Sequence, residues 1–80
     1  MDDRDVLQRI HSLVDEEQEL HAAAIEGRLD EEQRRRLREV EEGIDQCWDL
    51  LRQRRARRNA GLNPDEAAPR DVDVVEHYQQ

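Results

Sequence analysis

Phenylalanine is absent from this 80-residue chain, and tryptophan and tyrosine occur once each. A globular core normally leans on aromatic rings, each of which buries roughly 150–250 Å². Here Leu, Val, Ile and Ala must supply that area. Lysine is absent as well, so all 13 basic residues are Arg. Cys47 is the sole cysteine, which excludes an intramolecular disulfide and a thiolate metal cluster within one chain. The longest apolar stretch, Ala22-Ala23-Ala24-Ile25, is too short for a signal-peptide core or a membrane span. These absences point to a reducing cytoplasm.

What is present is charge. Charged residues make up 42% of the chain and hydrophobic residues 35%. That balance suits long helices packed along narrow stripes. It also approaches a disordered composition, so the helical assignment rests on periodicity. One domain is the upper limit at this length, and a private core would be marginal. The net charge of −8 argues against generic nucleic-acid binding, yet it is unevenly spread. Met1 to Gln33 has a balance of −8, Arg34 to Arg58 of +4, and Asn59 to Gln80 of −4. An acidic segment followed by a basic one suits an antiparallel hairpin held in register by opposite charges.

Val6, Ile10, Leu13, Leu20 and Ala24 recur at helical spacing, with Glu17 interrupting and Leu7 and Val14 widening the stripe. With Asp5 as N-cap and Asp2 and Asp3 favouring the helix dipole, this predicts a first helix over about 5–26, roughly 33 Å long. Gly27 suits a left-handed helix end. Asp30 and Gln33 form a capping box for a second helix over about 31–59, which must return antiparallel after so short a turn, 27–30. Its stripe is Leu37, Val40, Ile44, Cys47 and Leu51, with Trp48 and Leu50 beside it. Glu31-Arg35 and Glu32-Arg36 have the favourable four-residue spacing. Gly43 is a soft spot that costs roughly 1 kcal/mol against Ala. Residues 61–80 read as a tail with a short helical turn, Asn63 capping Pro64 and Pro69 stopping it. Its apolar end, Val72, Val74, Val75 and Tyr78, either docks on the hairpin or stays mobile.

The fold class is therefore all-α, an antiparallel hairpin of two long helices with a short C-terminal tail, associating into a helical bundle. The interaction core is expected at Leu13, Leu20, Leu37, Val40, Ile44, Trp48 and Leu51. Two stripes bury each other but leave Leu7, Val14, Trp48 and Leu50 half covered, and small scaffolds without disulfides or metals commonly solve this by association. A homo-oligomer follows, a dimer of hairpins forming a four-helix bundle or, in competition, a longer coiled coil.

Three clusters invite a chemical reading. Arg52, Arg54, Arg55, Arg57 and Arg58 lie within seven positions, and guanidinium forks suit phosphate, so RNA, DNA or an acidic protein are conceivable partners. The competing structural reading is favoured: cations complement a helix C-terminus, the acids of Asp2, Asp3 and Asp5 approach it, and no aromatics interleave for base stacking. His11 with Asp15 and His21 with Glu17 have ligand spacing. However, helix 2 lacks His and Gln18 stands three before His21, so the di-iron pattern fails and no metal or cofactor is expected. Cys47 lacks a base and an orienting partner, so a buried structural thiol is expected. Trp48 is the expected hydrophobic anchor or a partner-surface hot spot. No phosphate loop, catalytic triad or calcium-loop spacing occurs. The chain is read as a non-catalytic interaction module, with a nucleic-acid accessory factor as the alternative.

The run Asp5-Val6-Leu7-Gln8-Arg9-Ile10-His11-Ser12-Leu13-Val14, the block Asp45-Gln46-Cys47-Trp48-Asp49-Leu50-Leu51-Arg52-Gln53-Arg54-Arg55-Ala56 and the ending Val74-Val75-Glu76-His77-Tyr78 resemble an actinobacterial family, the domain of unknown function 2630 family. The resemblance spans nearly the whole chain. It implies a helical cytoplasmic protein of a high-GC bacterium and carries no activity, cofactor or catalytic residue.

Overall fold

A computed structural model describes residues 2–71 and Val75. Helix α1 spans Asp3–Ile25, helix α2 spans Glu31–Asn59, and a 3-10 turn covers Pro64–Glu66. The two long helices pack against each other, and the described residues contain no strand.

Each helix boundary has a local cause. α1 starts two residues before the expected position because Asp2, not Asp5, is its N-cap. The Asp2 carboxylate accepts from Asp5 N at 2.9 Å and Asp2 N donates back to Asp5 at 3.2 Å. Asp5 thus serves as the third residue of a capping box. α2 opens on the expected box, Asp30 accepting from Gln33 N at 2.7 Å and Asp30 N donating to Gln33 at 3.0 Å. Both helices end in the same way. Gly27 and Gly61 take φ of 70° and 75°, and the following amides, Arg28 N and Leu62 N, reach back to Ala23 O and Arg57 O at 2.9 and 2.7 Å. The glycine amides also donate to Ala24 O and Arg58 O at 3.0 and 3.1 Å, which completes the Schellman arrangement.

The core runs along the seam between the helices: Val6, Ile10 and Leu13 from α1, and Val40, Cys47 and Leu50 from α2. Val14, Leu20, Ile44 and Leu51 pack on its edges. Among the expected interaction residues, Leu13 and Val40 are buried, while Leu20, Leu37, Ile44 and Leu51 are half-buried. Trp48, expected as the hydrophobic anchor or a partner-surface hot spot, is 43% exposed. Ala23 is buried in place of Ala24, because the returning turn folds over it. Gly43 faces Leu13 closely: a Cβ there would lie 3.3 Å from Leu13 Cδ1.

Opposite charges stitch the hairpin at both ends. Arg36 reaches across to Glu16 with contacts at 2.5 and 2.9 Å, and Asp3 binds Arg54 and Arg58 at 2.6 and 2.9 Å. The described part of the tail folds back along α2, and Val75 is buried. Val72, Val74 and Tyr78 lie outside the described residues.

Candidate functional site

A helix turns about 100° per residue, so α2 presents three different faces. Val40, Gly43, Cys47 and Arg54 point at α1. Gln46, Asp49, Gln53 and Arg57 bind the tail. Trp48 lies two residues beyond Gln46, about 200° around the axis and so opposite the tail.

The tail face is polar and fully engaged. Asp49 is buried, with no exposed surface. Its carboxylate accepts from both nitrogens of the Arg70 fork, Nε at 2.9 Å, and from Gln53 Nε2 at 2.9 Å, with Arg52 at 3.6 Å. The Arg70 guanidinium holds the Asp49 carboxyl below its ordinary range. Gln53 also donates to Ala68 O at 2.8 Å, and Gln46 donates to Arg70 O at 3.2 Å. These contacts strap residues 68–70 along the helix.

The Arg cluster is drawn into the same fabric. Arg54 is buried, 5% exposed, and donates to Asp3 at 2.6 Å, Asp65 at 3.0 Å and Pro64 O at 3.2 Å. Arg57 donates to Asn63 O and Glu66, both at 2.7 Å. Arg58 contacts Asp3, whose carboxyl the two guanidiniums of Arg54 and Arg58 hold below its usual range. Arg55 is exposed, and Arg52 is half-buried beside Asp49. The five arginines therefore form no single surface.

Cys47 is buried, with Arg9 beside it, and shares a groove of about 160 Å³ with Arg9, Gly43, Gln46, Leu50 and Pro69. Burial pushes its thiol up, away from the thiolate that nucleophilic chemistry needs.

The face away from the tail is different in kind. Trp48 is 43% exposed and Leu7 42%. Val14, Ile44 and Leu51 lie half-buried along the same side. Leu7 and Val14 are seven apart on α1 and turned away from Arg9, which fronts the tail groove. On α2, Glu41, Trp48 and Arg55 succeed one another at seven-residue intervals and are all exposed, so one stripe reads acid, apolar, base.

At the acidic end of this face, Glu17 and His21 of α1 meet Glu41 of α2. One ligand atom from each lies within 4.8 Å of the others, and His21 Nε2 stands 4.0 Å from Glu17 Oε2. The sequence placed Glu17 and His21 together by spacing; Glu41 is added by the register of the hairpin. His11 and Asp15, the other candidate pair, are exposed on α1.

A profile of the family described as "Protein of unknown function (DUF2630)" matches residues 2–80. Uncharacterized protein Rv0898c of Mycobacterium tuberculosis and uncharacterized protein Mb0922c of Mycobacterium bovis are each 48% identical over 77 residues. The match covers 95% of this chain and 88% of each relative. No solved structure matches.

Proposed function

The chain belongs to the DUF2630 family, and from that premise we propose that it is a non-catalytic helical interaction module that pairs with a second copy of itself. The exposure of Trp48 on α2 and of Leu7 on α1, both turned away from the tail, carries this reading. Trp is the residue most enriched where protein surfaces meet, and a half-exposed Trp in a chain so poor in aromatics is area withheld from its own core.

A second copy is the occupant that the charge pattern favours. Glu41 and Arg55 flank Trp48 at about 10 Å on either side. A two-fold axis at Trp48 sets Glu41 of one copy against Arg55 of the other, twice, as an isologous interface requires. Two hairpins joined in this way make a four-helix bundle. A cytoplasmic setting belongs to the same reading, supported by the single buried thiol and by helices of which none, among the described residues, is long and apolar enough to cross a membrane.

The Arg cluster supports nucleic-acid binding less well. Arg54, Arg57 and Arg58 already donate to Asp3, Asp65 and Glu66, so phosphate would have to compete with carboxylates of the same chain.

Sedimentation equilibrium of the full chain and of Trp48→Glu tests the proposal, with circular dichroism to confirm equal helicity. Wild type is expected to sediment as a dimer at tens of micromolar and Trp48→Glu as a monomer. A wild-type monomer at those concentrations overturns self-association.

A further inference from the structure

We propose that Glu17, His21 and Glu41 form a binding site for a divalent transition-metal ion of the zinc class, clamping α1 to α2 within a single hairpin. The ligand set spans both helices. Glu17 and His21 are one turn apart on α1 and share a face. Glu41 comes from the opposing helix, and the three ligand atoms already lie within 4.8 Å of one another. Tetrahedral zinc, with bonds of about 2.0–2.2 Å, needs ligand atoms about 3.3 Å apart. Closing the remaining gap takes side-chain rotations, which exposure leaves open to His21 and Glu41, towards a half-buried Glu17.

Electrostatics single this place out. Elsewhere the hairpin sets an acid of one helix against an arginine of the other, as Asp3 with Arg54 and Arg58, and Glu16 with Arg36. Here carboxylate faces carboxylate. Among the described residues no arginine pairs with Glu17 or Glu41, although Glu16 and Glu39 close by both meet Arg36. Two carboxylates brought together across a packed seam repel, and a dication converts that repulsion into a bond between the helices. Glu17 is also the residue that breaks the apolar stripe of α1, a place where packing alone would favour a hydrophobe.

The donor set selects the ion. One imidazole nitrogen with two carboxylates suits zinc and its first-row neighbours, whereas magnesium and calcium prefer oxygen alone. Three protein ligands leave one coordination position for water. The bond formed is a cross-link, and its effect is on the stability of the hairpin.

Zinc chloride titrated into chelator-stripped full-length protein, followed by calorimetry and thermal melting, decides the matter. The expected result is one zinc per chain, a raised melting temperature that a chelator reverses, and no rise with magnesium. Glu41→Gln and His21→Ala are expected to weaken zinc binding at least about tenfold while keeping wild-type helicity. His11→Ala and His77→Ala, which remove the other two histidines, leave it unchanged. Absence of a zinc-dependent shift, binding indifferent to Glu41→Gln, or binding lost with His11→Ala or His77→Ala each overturns the site. The three ligands come from one copy, and Glu41 is also the residue set against Arg55 of a second copy. Trp48→Glu, which releases Glu41 from that pairing, is therefore expected to bind zinc at least as tightly as wild type, so self-association and metal binding can fail separately.

Discussion

Arg54 and Arg55 are neighbours in sequence with opposite fates. Arg54 donates to Asp3, Asp65 and Pro64 O from a buried position, whereas Arg55 is exposed on the stripe of Trp48. Replacing Arg54 by Ala removes three hydrogen bonds and the stem that packs under them. Asp3 keeps Arg58 and Asp65 is exposed enough to rehydrate, so the loss stays below that of a stranded buried charge. Arg54→Ala is expected to lower the melting midpoint by about 5 °C or more, and Arg55→Ala by about 2 °C at most. Equal shifts in thermal scans of the two variants would mean that the buried network contributes nothing. The sequence marked these arginines as one cluster, because proximity in the chain is all that a run of letters reports. Five arginines in seven helical positions are spread around most of the circumference. One signal was legible: Arg54 stands seven after Cys47 and fourteen after Val40, in line with the buried stripe.

At the scale of elements, what could be read in advance depended on whether side chains or backbone make the contact. The α2 start was legible from Asp30 and Gln33, and the α1 end from Gly27, because these residue types act through their own chemistry. With three aspartates in four positions, the sequence reading chose Asp5 as the α1 cap, and the reciprocal Asp2–Asp5 bonds move it to Asp2. Docking of the tail was illegible, since much of it rests on the carbonyls of Asn63, Pro64, Ala68 and Arg70, which every residue possesses. Asp49 anchors the strap, and Pro69 borders the groove that holds Cys47. Arg70→Ala leaves the buried Asp49 without its fork and loosens the strap. The thiol of Cys47, shielded in wild type, is then expected to react with a maleimide or disulfide reagent about tenfold faster. Unchanged labelling would show that the strap opens independently of Arg70.

For the whole molecule, charge and apolar area act in opposition, and salt separates them. A chain of net charge −8 repels its own copies at low ionic strength. The face proposed for pairing is mainly apolar: Leu7, Val14, Ile44, Trp48 and Leu51, with one Glu41–Arg55 pairing on each side. The rim pairs are exposed and contribute about 0–1 kcal/mol each, so their screening costs little. Apolar burial does not weaken with added salt, while the repulsion between two −8 chains does, since the screening length shrinks from about 30 Å at 0.01 M to about 8 Å at 0.15 M. The dimer fraction is therefore expected to rise between those two conditions in sedimentation at fixed protein concentration. Binding through an arginine surface to phosphate has the reverse dependence, falling steeply as counterions compete. A dimer that dissociates as salt is raised would place the association on charge rather than on Trp48, and would move the interface from the open face to the arginine end of α2.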